Sequence, residues 1–265
     1  MVEAKTSQAK IMWLGHAGFK VTFMHEGVER VVYIDPWFGN PKYPESLKDE
    51  AGGAPIPTDA DLVLITHGHF DHASHADAVQ KASTKPCKIA ASFELCNFYK
   101  LNKGVAEDGV VAGNICGTID LEWCKITMVH AVHSSSCGFS EDGISHYAGP
   151  ASGWVLRLDN GVSVYHAGDT GVFTDMNIIN ELYTPTHLCL PIGGNFTMGP
   201  EEAAYGVAKF LTNASVVIPM HFLTFPLLKG DLPAFKSELD KRGVTGKQIV
   251  DSYADLLGKW MDLTV

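Results

Sequence analysis

Short apolar runs separated by turn residues set the order of elements along the chain. Ile11–Leu14, Phe19–Phe23 and Val31–Ile34 read as opening strands. A Pro- and Gly-containing stretch from Gly39 to Thr58 follows as a long loop, a kind usually tied to function or mobility. Leu62–Thr66 is a continuous apolar strand, and Ala73–Ser83 then has helical spacing and polarity. Lys88–Ala91 and Glu94–Asn102 repeat the strand-then-helix order, and Thr118–Trp123 and Lys125–Val132 read as two more strands. Trp154–Leu158 and Val162–His166 flank Asp159-Asn160-Gly161, whose Asn-Gly pair suits a tight antiparallel turn with positive φ. Leu188–Ile192, a helix over Glu201–Leu211, the strand Val216–Met220, a helix over Leu232–Arg242 and a last strand Lys259–Leu263 complete a βαβ-like second half. The pattern predicts an α/β protein. No Ser- or charge-rich linker divides it, so residues 1–265 read as a single domain.

Composition narrows the functional classes. With 46% hydrophobic and 19% charged residues and no apolar run of bilayer length, the sequence predicts a globular protein with no membrane span. A formal charge of −10 disfavours a general electrostatic grip on nucleic acid or anionic membrane. Met1–Trp13 lacks the cationic and apolar regions of a signal peptide, which predicts a cytoplasmic location. The six cysteines form no C-x-x-C pair and read as buried reduced thiols. A small-molecule substrate is the expected partner, and homo-oligomerisation is left open.

Twelve histidines are the feature that composition leaves unexplained. Residues 67–72 read His67-Gly68-His69-Phe70-Asp71-His72, three imidazoles and a carboxylate directly after a buried strand. Imidazole nitrogen and carboxylate oxygen are ligands that borderline divalent ions such as zinc prefer, and Gly68 lets the backbone turn sharply. In such a turn His67 and His69 can face one centre while Asp71 and His72 face another, which predicts two metal ions. Further donors stand at other strand ends: His133 after Lys125–Val132, Asp169 after Val162–Ala167, and His221 after Val216–Met220. His130 competes with His133 for its place.

The H-x-H-x-D-H run His67, His69, Asp71 and His72 resembles that of the metallo-β-lactamase superfamily. The likeness extends to Gly15-His16-Ala17-Gly18-Phe19, Ile34-Asp35-Pro36, His166-Ala167-Gly168-Asp169-Thr170, Asn195-Phe196-Thr197-Met198-Gly199-Pro200-Glu201 and Pro219-Met220-His221. Together these are similar to a small metal-dependent hydrolase branch that includes ascorbate-phosphate lactonase-like and N-acyl-phosphatidylethanolamine phospholipase D-like members. Gly194, where that branch usually has an acid, and Leu223, where it tends to be polar, depart from it. The resemblance implies a four-layer αββα sandwich with the metal site at one edge. It also implies that His67, His69 and His133 hold one ion, that Asp71, His72 and His221 hold the second, and that Asp169 bridges them. A bridging carboxylate would offset the repulsion between dications about 3.5–4 Å apart.

The expected activity is hydrolysis of a small ester, lactone or phosphodiester by water or hydroxide between two divalent ions, zinc first, with manganese or iron as alternatives. Besides Asp71, His16 and His166 are candidates for catalytic or supporting roles, because each lies in a small-residue turn beside a strand. Asn195, Phe196 and Thr197 are candidates for substrate binding. The acids of Gly199-Pro200-Glu201-Glu202 read as a helix start rather than a phosphate cradle. Competing classes are a di-iron oxidoreductase of the same fold and a non-catalytic metal-binding protein.

Overall fold

Residues 9–138 and 145–264 are described by a computed structural model. The first half runs β1 (Ala9–Trp13), β2 (Phe19–His25), β3 (Val28–Ile34), β4 (Leu62–Leu64), α1 (Phe70–Ala73), α2 (Ala76–Ala82), β5 (Lys88–Ser92), α3 (Phe93–Lys103) and β6 (Val110–Gly113). Then come β7 (Thr118–Asp120), β8 (Lys125–His130), a small ribbon of β9 (Ser136–Cys137) and β10 (His146–Tyr147), β11 (Ser152–Arg157) and β12 (Ser163–His166). The remainder is α4 (Met176–Tyr183), β13 (His187–Pro191), α5 (Pro200–Lys209), β14 (Val216–Met220), α6 (Leu232–Lys241), β15 (Gln248–Ile249), α7 (Tyr253–Leu256) and β16 (Trp260–Leu263). Among the described residues these strands build two seven-stranded sheets, ordered β16-β1-β2-β3-β4-β5-β6 and β15-β14-β13-β12-β11-β8-β7.

The period of two along each strand sorts side chains between layers. Leu62 and Leu64 of β4 enter the core between the sheets with Trp13, Ile34, Met128 and Trp154. Val63, between them, joins Val79 of α2 and Leu95 of α3 on the outer face. Helices α4, α5 and α6 cover the second sheet with Ile179, Val207 and Phe235. The result is the αββα sandwich. Helix starts follow local chemistry: the Ser92 hydroxyl accepts from the Leu95 N–H, Asp231 from the Ala234 N–H, and Pro200 stands in the first turn of α5.

Several elements differ from the sequence pattern. The helix expected over residues 73–83 is two helices, because α1 starts inside the His-rich motif and the chain breaks at His75 before α2. Strands β6 and β15 and helices α4 and α7 are too short for their periodicity to stand out. The turn after β11 closes between Leu158 and Val162 as a three-residue loop in which Gly161 takes the positive φ. Cys116 is exposed, whereas the other five cysteines are buried. Residues 139–144 lie outside the described residues. No helix among the described residues is long and apolar enough to cross a membrane.

The two sheets are fastened where β4 ends. The Ser152 N–H and hydroxyl both donate to the Thr66 carbonyl, at 3.1 and 2.7 Å, and Trp154 Nε1 donates to the Ile65 carbonyl. These bonds fix the start of the His-rich motif against the second sheet. The strand ends behind it are tied in turn: the His221 N–H donates to the His16 carbonyl, the Gly171 N–H to Val132, and the Met198 N–H to Thr170. One edge of the sandwich therefore gathers loops from both sheets.

Candidate metal centre

That edge collects His67, His69, Asp71, His72, His133, Asp169 and His221. Three overlapping groups of donor atoms lie within 4.8 Å of one another: His67, His69 and His133; His67, His72 and Asp169; and His16, Asp71, His72 and His221. His130 stays outside, exposed at the end of β8 with its ring against Phe173. Gly68 is required for space rather than for a turn in the left-handed region: a Cβ there would lie 2.5 Å from the Ala148 Cβ. Gly168, beside Asp169, needs both, with φ +63° and a Cβ position 2.5 Å from the Ser152 carbonyl oxygen.

Asp35 orients the rings from behind. One of its oxygens accepts from the Thr66 N–H at 2.9 Å; the other accepts from the Thr66 hydroxyl at 2.6 Å and from His72 Nδ1 at 2.7 Å. The Thr66 hydroxyl, its proton spent on Asp35, accepts from His67 Nδ1 at 3.0 Å. Both rings thus carry their proton on Nδ1 and turn Nε2 toward the centre, the arrangement by which outer carboxylates fix metal-binding imidazoles. His16 serves Asp71 in the same way. Its Nε2 donates to Asp71 at 3.0 Å, and its Nδ1 accepts from the Thr224 hydroxyl at 2.6 Å.

The facing atoms have the spacing that a shared cation requires. His221 Nε2 and His133 Nε2 lie 3.0 and 3.6 Å from one oxygen of Asp169, and His72 Nε2 lies 3.3 Å from the other. His67 Nε2 and His69 Nδ1 are 3.0 Å apart. Two ligands about 2.0–2.1 Å from a tetrahedral zinc would be about 3.4 Å apart, so these distances bracket that value. Moreover His72 Nε2, both His221 ring nitrogens and one Asp169 oxygen are buried without a hydrogen-bond partner. Buried polar atoms are ordinarily satisfied, and a cation among them would satisfy these. The residues present therefore fit metal binding.

Burial and the two carboxylates set opposing proton affinities. Burial pushes His67, His69 and His133 down, so these rings are neutral near pH 7. Burial works the same way on His72 and His221, but the surrounding carboxylates outweigh it. Asp169, Asp35 and Asp71 raise His72 well above its usual range, and Asp169 with Asp71 raises His221 to about 9. Burial opposes ionisation of Asp71 and Asp169 as well, yet the adjacent histidines hold both carboxyls below the ordinary carboxylate range. Burial with the neighbouring His221 pushes His16 down to about 3 against the pull of Asp71, so it is a neutral donor to that carboxylate.

Residues 10–221 match the family model described as beta-lactamase superfamily domain. The chain belongs to the metallo-β-lactamase superfamily. It is 41% identical to a UPF0173 metal-dependent hydrolase of Myxococcus xanthus over 247 residues, 93% of this chain and 82% of that one. It is 44% identical to one of Koribacter versatilis over 233 residues, 88% of this chain and 90% of that one. Among solved structures it is similar to Igni18, described as a metallo hydrolase of Ignicoccus hospitalis, with a TM-score of 0.75, 30% identity, and 97% of this chain and 99% of that one covered.

Within this superfamily member, two residues expected to have catalytic or supporting roles are fully buried, with both ring nitrogens hydrogen-bonded. His166 is fully buried, its Nε2 donating to the Ala17 carbonyl and its Nδ1 accepting from the Gly168 N–H. Both nitrogens are occupied in shaping the turn that carries Asp169, so no nitrogen is left for a reacting group. His16, likewise fully buried, acts through Asp71. Asn195 and Phe196 are exposed and Thr197 half-buried, on a loop joined to Thr170 through Met198. Asp35, Thr66 and Thr224 carry supporting roles that no sequence pattern had assigned. Asp35 did stand in the Ile34-Asp35-Pro36 run, a polar residue at the end of an apolar strand, and that was the available signal. His16, Asp35 and His221 all take left-handed backbone conformations, with φ of 54°, 45° and 55°, a concentration of strain typical of functional sites.

Proposed function

We propose that this chain is a dinuclear metal-dependent hydrolase acting as one domain on a small ester, lactone or phosphodiester. His67, His69 and His133 would hold one ion, Asp71, His72 and His221 the other, and Asp169 both. The observation that carries this reading is Asp169 itself. It is a buried carboxylate whose two oxygens together face His133, His72 and His221, with one of them unsatisfied. When bound, two divalent ions, zinc foremost, supply Lewis acidity that brings water toward ionisation at neutral pH and polarises the scissile carbonyl or phosphoryl oxygen.

The chain's own residues prepare that chemistry. Asp71 and Asp169 supply fixed negative charge, and the neutral His67, His69 and His133 are ready as donors. His72 and His221 give up protons on loading, so metal uptake is coupled to proton release. Asp35 and His16 lock the ring and carboxylate orientations, which limits the reorganisation needed at the centre. Asn195, Phe196 and Thr197, on the loop joined to Thr170, would contact substrate. Relatives named metal-dependent hydrolases support the activity class.

The test is elemental analysis of protein purified without metal-affinity resin, followed by a panel of lactones, aryl esters and phosphodiesters assayed before and after chelation and metal return. About two ions per chain and chelator-sensitive hydrolysis are expected. A redox-active di-iron spectrum without hydrolysis would favour the oxidoreductase alternative; bound metal without turnover would favour the binding protein.

A further inference from the structure

Loops that bring donors to the centre also bring apolar side chains to its mouth. Phe70 lies between His69 and Asp71, Val132 precedes His133, and Leu223 is two residues after His221; all three are about half exposed. Phe70 belongs to a larger wall. Its ring lies 5.6 Å from Trp37 and 6.3 Å from Phe225, and Trp37 and Phe225 stack at 5.6 Å. Trp37 and Phe225 in turn press edge-on against His16, the residue that holds Asp71.

Phe225 has a second role. With Leu223, Thr224, Pro226, Lys42 and Lys229 it lines a surface groove of about 570 Å³, within the range of small-molecule sites. Thr224 connects the groove to the centre, since its hydroxyl bonds His16 and His16 bonds Asp71. Lys42 and Lys229 are both exposed, and among the described residues neither ammonium forms a salt bridge or hydrogen bond. On a chain of net charge −10, two unneutralised cations in one groove make a local attraction for anions.

We propose that this groove is the subsite for an anionic group of the substrate. A carboxylate or phosphate group sits between Lys42 and Lys229 while the apolar body of the same small molecule lies against Trp37, Phe70 and Phe225. The placement of its scissile bond at the metal-binding cluster rests on the hydrolase reading above; the anion subsite does not.

Two matched probes separate these claims. The first is a dye pair of common aromatic body, 1-anilinonaphthalene-8-sulfonate and the uncharged N-phenyl-1-naphthylamine, titrated against the full chain and a Lys42→Ala/Lys229→Ala variant of unchanged circular dichroism. The wild type should prefer the anionic dye by about five- to tenfold at low salt, as two partly screened charge pairs would give. The preference should vanish in the variant and shrink in 0.5 M NaCl, where the Debye length is about 4 Å instead of about 30 Å in 0.01 M buffer. Equal affinity of wild type for both dyes, or a preference that survives the double substitution, overturns the proposal. Displacement of the anionic dye by glutarate or by phenyl phosphate then tells carboxylate from phosphate.

The second probe is the ratio of kcat/KM for mono-4-nitrophenyl glutarate to that for the uncharged 4-nitrophenyl pentanoate, in metal-loaded protein. The substitutions should lower this ratio about fivefold, chiefly through KM of the anionic ester; an unchanged ratio counts against the subsite. If neither ester nor any other member of the hydrolase panel is cleaved, the hydrolase reading fails while the dye pair still decides the subsite.

Discussion

His166 and His187 stand on paired strands of the second sheet, as fully buried as His67, His72 and His221 at the edge of the sandwich. In the interior each ring meets mainly backbone or a hydroxyl: His166 bonds two main-chain groups, and His187 Nδ1 donates to Thr186 at 2.8 Å. At the edge the rings meet one another and three aspartates. Burial lowers proton affinity in both places, pushing His187 down to about 4, but only at the edge do carboxylates reverse it and raise His72 and His221. Burial alone therefore does not make a site. Convergence of unsatisfied nitrogens on buried carboxylates does, because it leaves charge that only protons or a metal can balance.

The severest way to break the contrast is Asp169→Asn. It removes one negative charge and the carboxylate shared by the two groups of donors, and hydrolysis should fall by at least about 10³-fold with loss of bound metal. A variant that kept full metal content and rate by elemental analysis and steady-state kinetics would refute the shared-carboxylate assignment. Asp35→Asn should act more gently, since it touches no proposed ion. Weakened orientation of His72 and His67 should raise the metal dissociation constant about 10–100-fold in competition titrations with a coloured chelator.

Proton coupling sharpens the comparison next. Because His221, near 9, and His72, also raised, must lose protons to bind metal, the association constant should rise with pH from 6 to 9, by up to about tenfold per unit for each proton released. Calorimetric titration in buffers of different ionisation enthalpy would count those protons, and a pH-independent affinity would contradict the pKa directions. The smallest effect is expected inside the sheet. His187 has a depressed folded pKa, so the unfolded chain binds more protons between about pH 6.5 and 4, and stability falls as pH drops through that window. His187→Leu should flatten that decline in urea unfolding of the chelated protein, change stability at pH 7 by under about 1.5 kcal/mol, and leave metal content intact. A loss of metal from His187→Leu would erase the distinction between the two regions.

Much of the site was legible because its densest part is local. His67 through His72 occupy consecutive positions after an apolar strand, and His133, Asp169 and His221 each follow a recognisable strand. The bonds that orient these donors were not legible, for the same reason in reverse. Asp35 reaches Thr66 and His72 across 31 and 37 positions, and His16 reaches Thr224 across 208. No spacing rule spans such gaps. His16 and His166 looked alike in sequence, each a histidine in a small-residue turn, yet one holds Asp71 and the other holds the turn before Asp169.

The sequence by itself determined the alternation that builds two sheets, the donor types of a borderline-metal site, the acidic balance and the family resemblance, since all of these reside in residue identity and short-range order. Tertiary structure alone decided which nitrogen each ring presents, that Asp35 aligns two of them, that His166 is spent on backbone, and that Lys42 and Lys229 share a groove beside Phe225. Those outcomes depend on the packing of two sheets and the hydrogen bonds that fasten Ser152 to Thr66 and His221 to His16. Periodicity specifies which face of a strand is buried; only closure of the sandwich brings the ends of distant strands within bonding distance.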